Sequence, residues 1–356
     1  MTASIRDRQQ ARFEVVPARA ALGAEVRGLD LKRLDDATFK LLHQAWLDNV
    51  LLAFRGQSLA AEDVVDLVRR FGTPVTSSNL HKRDLKERAS RGGTGAPNSF
   101  GDVTPGDARA RDTLTDIRAA AVSERAGNTL LNLPPEVTVV SNVKQEGKSV
   151  GILGDGEVVW HSDFSFKERP TAARMLIAME VPPRELGGNT YFLSCYAAYD
   201  ALSADMKRRI SGMTIKQADI VDTAMKVRPG MSLDMDYRSV PGPSHPIIST
   251  HPETGHNMLF LGRRHGSYVN GCSLEESEAL LNELWEHCTQ PRFWYEHKWS
   301  VGDVVVWDNR ATLHRREPFD SASRRVLYAA QVEGHRPYEA PNALTLPPHP
   351  RAAFAA

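Results

Sequence analysis

The chain has 356 residues, 41% hydrophobic and 25% charged, the balance of a globular protein with a sizeable core and not of a disordered chain. Lys plus Arg and Asp plus Glu stand at 44 each, which excludes the overall basic footprint of a nucleic-acid binder. Three scattered cysteines (Cys195, Cys272, Cys288) with no CxxC pair argue against a disulfide framework or structural zinc site and favour a reducing compartment.

The opening MTASIRDRQQARFEVV carries no apolar signal region, and no stretch reaches about 18 uninterrupted apolar residues. The expectation is a soluble, cytoplasmic protein with no membrane or nucleic-acid partner; homo-oligomerisation is left open. Helical spacing in DATFKLLHQAWLD (36–48) leads into VLLAF, which reads as a buried strand. In SLAAEDVVDLVRRFG, Ser58 is the expected N-cap and Gly72 the stop, with Val64, Val65, Leu67, Val68 and Phe71 on the apolar face. Residues 79–128 are polar, rich in Gly, Pro, Arg and Asp, and weakly periodic. They read as a surface excursion or an active-site lid.

From residue 137 short β-type runs dominate: VTVVSNV, EVVWHSD, ARMLIAMEV, NTYFLS, DVVVWDN and RRVLYAAQV. In ARMLIAMEV, Met175, Ile177, Met179 and Val181 alternate as in a strand with one buried face. SLEESEALLNELWEHC opens with a capping box, Ser273 to Glu276, and places Cys288 in the core. Mainly β with helices before and between the strands, the pattern suggests a β-sandwich or barrel decorated by helices.

Within EVVWHSD, His161 and Asp163 fall on one face of an extended chain and Ser162 on the other. The pair alone does not separate half a metal site from a turn residue beside a solvated acid. His314, in VVVWDNRATLHRR, is the best third ligand, on a short connection after a strand. Two histidines and a carboxylate would leave three metal positions open, as in non-haem Fe(II) oxygenases. Eleven residues further, Arg325 opens a β-type run, and a guanidinium there would suit a dicarboxylate.

In order, HxD, GGNT, GDVVVWDNR…H and the later Arg resemble the Fe(II)- and 2-oxoglutarate-dependent dioxygenases of the taurine dioxygenase/2,4-D dioxygenase type. The resemblance runs through most of the chain. It implies a double-stranded β-helix (jelly-roll) core flanked by α-helices, in a single catalytic domain over residues 1–356. It further implies Fe(II), with 2-oxoglutarate and O2 as cosubstrates, and decarboxylation to succinate and CO2 coupled to hydroxylation of a small anionic or zwitterionic substrate. Desaturation, carbon–heteroatom cleavage, or a 2-oxoglutarate-binding sensor without turnover are the alternatives. Carried over by position, His161, Asp163 and His314 would bind iron, Arg325 would clamp the distal carboxylate, and Thr190 would hydrogen-bond the cosubstrate. With Asp163 present, a halogenase is not expected. Taurine dioxygenase proper carries an arginine four residues beyond the clamp, where this chain has Ala329. Asp308, Asn309 and Arg310 read as turn-forming groups that orient the region around His314. Asn142 reads as facing the pocket or as a bulge. Arg263, Arg264 and His265 read as a solvated loop, with a substrate cation as the alternative.

Overall fold

The strand Ala173–Glu180 (ARMLIAME) shows how the molecule is layered. In this computed structural model, which describes residues 13–76, 131–227, 231–238, 240, 242–262 and 266–355, most of both its faces is buried. Alternation predicts a single buried face. Met175 and Ile177 do pack against helices, but Leu176 and Ala178 are buried as well, because a second sheet covers them.

The larger sheet contains β1 (Glu14–Pro17), β2 (Ala24–Arg27), β3 (Leu51–Phe54), β4 (Thr138–Ser141) and β5 (Ile152–Leu153). The smaller sheet begins with β6 (Val158–His161); Ala173–Glu180 is β7, in the larger sheet. Then come β8 (Thr190–Ser194) and β9 (Trp294–His297), β10 (Val304–Asp308), β11 (Thr312–Arg316) and β12 (Val326–Gln331). The larger sheet runs β1-β2-β3-β10-β7-β12-β4-β5 and the smaller β9-β8-β11-β6. The inner faces meet where the Phe192 and His314 rings each lie 5.1 Å from Trp307. The mainly β architecture with flanking helices is as expected, and its two facing sheets fit a jelly-roll core.

Helices α1 (Asp36–Asn49) and α2 (Ala61–Phe71) cover the outer face of the larger sheet, packing Leu42, Trp46, Val64 and Val68 on Met175, Ile177, Val304 and Val306. The expected N-cap of α2 is displaced. Ala60 holds that position and Asp63 closes it by accepting the Ala60 backbone N–H at 2.7 Å, so Ser58 lies outside the helix. Strands β1 and β2 went unread in the sequence because four-residue runs such as EVVP and AEVR are too short to show a period. The Ser273–Glu276 capping box forms as read, opening α3 (Leu274–Cys288), and Cys288 is core. The three cysteines are free. Among the described residues no helix is long and apolar enough to cross a membrane. The 79–128 segment lies outside the described residues, as do Arg263, Arg264 and His265.

At the C-terminus the buried His349 ring stacks on Tyr196, with centroids 4.3 Å apart and planes 3° from parallel. Its Nδ1 accepts the Arg351 backbone N–H at 3.2 Å, which requires the neutral ring. Burial lowers its pKa to about 4. The unfolded chain, titrating near 6.5, binds a proton that the fold resists, so this contribution is complete above about pH 6.5 and is lost as pH falls toward 4. Between pH 6.5 and 4.5 the protein is expected to lose about 2 kcal/mol more stability than His349→Gln. Urea midpoints across that range check it, and parallel pH profiles for the two proteins would refute it.

Candidate active site

His161 ends β6, and the turn that follows carries Asp163. Phe164 adopts φ 56°, a conformation uncommon for an aromatic residue, and reverses the chain directly behind the carboxylate. His314 comes from the middle of β11, paired across the ladder with His161; it is a strand residue and not, as expected, at the end of a connection. The register of β6 on β11 therefore brings the two imidazoles together, with ring centroids 4.1 Å apart.

The ligand atoms of His161, Asp163 and His314 all lie within 4.8 Å of one another. Nε2 of His161 is 3.5 Å from Asp163 Oδ1, and Nε2 of His314 is 3.4 Å from Asp163 Oδ2. Nδ1 of His161 lies 2.7 Å from the Val159 carbonyl oxygen, to which it must donate, and this turns Nε2 toward the cluster. Burial, then the neighbouring His161, push the His314 pKa well below its ordinary value, so that ring is neutral, the form that ligates metals. Burial opposes ionisation of Asp163, yet Arg174 and the two imidazoles hold its carboxyl well below the usual carboxylate range. The Arg174 Nε lies 3.0 Å from Oδ2 without hydrogen-bond alignment, and Oδ2 is buried with no hydrogen bond of its own. Two imidazoles and a carboxylate with an orphaned oxygen fit a divalent transition metal.

Asn309 holds this constellation. Its Oδ1 accepts the Asp163 backbone N–H at 3.0 Å, while Nδ2 donates to the carbonyls of Asp163 (2.9 Å) and Thr171 (3.1 Å). Ser162 turns the other way, donating to the Asn309 carbonyl at 2.8 Å. Asn309→Ala is expected to weaken metal binding by about 10–100-fold while all three ligands remain. Anaerobic Fe(II) titration measures this; an unchanged affinity would deny Asn309 the role.

Arg325, just before β12, is 2% exposed, and among the described residues its guanidinium has no hydrogen-bond acceptor. Burial, then the nearby Arg316, push its pKa well below the ordinary arginine value. Arg316, by contrast, donates through Nη1 and Nη2 to the carbonyls of Leu153, Gly154 and Gly156. A buried cation without an acceptor is costly, and an anion bound beside it would offset that cost. Gly188 (φ 85°) packs beside it: a Cβ there would come within 3.5 Å of the Arg325 Nε. Asn142 secures the backbone here, its Oδ1 accepting the Arg325 N–H at 3.0 Å and its Nδ2 donating to the Ser323 carbonyl at 2.8 Å. Thr190 shares its face of β8 with Phe192, which pairs with His314. The Trp299 Nε1–H donates to Thr190 Oγ1 at 3.0 Å, leaving the threonine O–H to donate elsewhere.

Arg310 is engaged elsewhere. It grips Asp308 through Nε (2.9 Å) and Nη2 (2.6 Å) and reaches Glu253 at 3.0 Å, while Asp308 also contacts His251 at 2.9 Å. This network braces the turn between β10 and β11. Sequence reasoning missed His251, Glu253, Trp299 and Arg174. Only Arg174 left a signal, as a cation within the apolar run ARMLIAMEV.

Residues 14–331 match the family described as taurine catabolism dioxygenase TauD, TfdA family. An (S)-phenoxypropionate/alpha-ketoglutarate-dioxygenase of Delftia acidovorans is 30% identical over 335 residues, 91% of this chain and 96% of that protein. An alpha-ketoglutarate-dependent 2,4-dichlorophenoxyacetate dioxygenase of Burkholderia sp. (strain RASC) is 38% identical over 208 residues, 56% of this chain and 68% of the relative. The crystal structure of a taurine dioxygenase from Burkholderia xenovorans superposes with a TM-score of 0.63 at 27% identity, covering 97% of this chain and 98% of that one. Motif order, two-sheet core and extent of the match agree: the chain belongs to the TauD, TfdA family of alpha-ketoglutarate-dependent dioxygenases.

Proposed function

We propose that His161, Asp163 and His314 hold the Fe(II) of this dioxygenase and that Arg325 and Thr190 bind its 2-oxoglutarate. The observation that carries this reading is the convergence of two imidazoles and a carboxylate within 4.8 Å, together with a buried guanidinium that has no acceptor among the described residues. Bound Fe(II) supplies activation of O2, which the protein's own groups cannot perform. Arg325 takes the distal carboxylate of 2-oxoglutarate through two parallel hydrogen bonds, and the Thr190 hydroxyl donates to a cosubstrate oxygen. Phe192 and Trp307 wall the His314 ring and keep water from its flanks. Asn309 fixes the turn that aims Asp163.

Decarboxylation of 2-oxoglutarate to succinate and CO2 is coupled to hydroxylation of a small organic substrate. Relatives named for (S)-phenoxypropionate and 2,4-dichlorophenoxyacetate support a substrate bearing an acid group. The family match over residues 14–331 supports one catalytic domain for the chain. The test is an anaerobic absorption spectrum of the protein with Fe(II) and 2-oxoglutarate added in turn. A weak visible band that needs both additions and is lost in His161→Ala is the expected result. No band at confirmed iron occupancy would overturn the reading.

A further inference from the structure

Arg174 lies against the Asp163 carboxylate but has so far been given no part in binding a ligand. It sits on β7 on the same face as Leu176 and Ala178, which are buried between the sheets. Its Cα partner across the ladder is Gln331 at the end of β12, and its Nη1 donates to Gln331 Oε1 at 3.0 Å. Nε lies 3.0 Å from Asp163 Oδ2, and among the described residues Nη2 has no partner. The side chain is 12% exposed, so the guanidinium is held in place on two sides and open on a third.

Position along the sheet separates this cation from the cosubstrate clamp. Arg325 and Gln331 stand six residues apart along one strand, about 20 Å in an extended chain. The Asp163 carboxylate reaches the Gln331 end. Between them on the inner face lie Leu327 and Ala329, and Ala329 pairs with Leu176, the next residue of the Arg174 stripe. Charge points the same way. With Fe(II) and 2-oxoglutarate bound, the two metal charges plus Arg174 and Arg325 oppose Asp163 and the two cosubstrate carboxylates, leaving one positive charge uncompensated. Arg316 does not enter this balance, because Asp155 is set against it.

We propose that Arg174, steadied by Gln331, binds the anionic group of the substrate and selects monoanionic organic acids over their neutral analogues. This rests on the metal and cosubstrate assignment above and adds the residue that reads the substrate. Because the guanidinium also contacts a carboxylate of the metal cluster, an acid held on its open edge places the carbon nearest that acid closest to the metal. Oxidation is therefore directed near the acid group and not at the far end of the molecule.

The test uses the full chain loaded anaerobically with saturating Fe(II) and 2-oxoglutarate, and reads the shift of the absorption band. The probes are acetate, phenylacetate, phenoxyacetate and benzenesulfonate, each set against a neutral amide. Carboxylate and sulfonate probes are expected to shift the band in the wild type and to bind about 30-fold or more weakly to Arg174→Gln, with partial recovery in Arg174→Lys. Amide binding should change far less, a charge selectivity that a merely structural role would not produce. Gln331→Glu provides a second variant that leaves Arg174 and Asp163 in place. Its added carboxylate competes for the guanidinium and should also weaken anion binding. If the band forms but no anion shifts it, or if Arg174→Gln and Gln331→Glu bind the anions as the wild type does, the proposal is overturned and the metal assignment stands. If no band forms in the wild type, the assignment beneath it falls and takes the proposal with it.

Discussion

Arg325→Met is expected to raise the dissociation constant of 2-oxoglutarate by about 100-fold or more, within the 2–5 kcal/mol that truncating a buried hydrogen-bonded charge pair costs. Iron binding should persist, because Arg325 contacts none of the three proposed ligands. Without cosubstrate the sign reverses. Among the described residues the buried guanidinium has no acceptor, and methionine of similar length removes that desolvation cost. The metal-free variant should therefore be no less stable than the wild type, with an equal or higher urea midpoint. Arg325→Lys should not restore affinity, since a lysine ammonium cannot supply two parallel hydrogen bonds to a carboxylate. Calorimetric titration of 2-oxoglutarate into the anaerobic, Fe(II)-loaded protein decides the matter. Tight binding by Arg325→Met would remove this residue from the site.

Asp163→Ala is expected to weaken Fe(II) binding by more than about 100-fold, beyond the 10–100-fold that outer partners of a metal site contribute. The reason is electrostatic as well as geometric. Among the described residues Asp163 is the only carboxylate in the cluster, and without it a divalent cation would face two imidazole rings and the Arg174 guanidinium. Asp163→Asn keeps the size but not the charge, and Asn309 can still hold the backbone turn. It should fold as the wild type does yet bind iron poorly. Anaerobic Fe(II) titration with circular dichroism on the same samples separates lost metal from lost fold. Retained iron in both variants would place the metal elsewhere.

The chemistry was legible in the sequence because it depends on residue types in a fixed chain order. His161 and Asp163 two apart, Thr190 after a Gly pair, His314 following a strand and Arg325 eleven residues later could all be read without coordinates. The β-rich centre, the α3 capping box and the core position of Cys288 followed from local period and cap chemistry. Where local signals competed, they misplaced details. Ser58 and Asp63 both offer oxygens near the start of α2, and only the folded backbone shows that Asp63 reaches the Ala60 N–H.

Tertiary structure decided what register decides. Pairing of β6 with β11 sets His161 against His314, and pairing of β7 with β12 sets Arg174 against Gln331. Neither meeting has a local signature, since the partners lie more than 150 residues apart in the chain. The same holds for the division of labour among the arginines. Among the described residues, Arg310 is occupied by Asp308 and Glu253, and Arg316 by three backbone carbonyls, while Arg325 is buried without an acceptor and Arg174 keeps one edge open. A sequence carries the charge of each arginine; only the fold settles which acceptors surround it, and so which of them remains to bind a ligand.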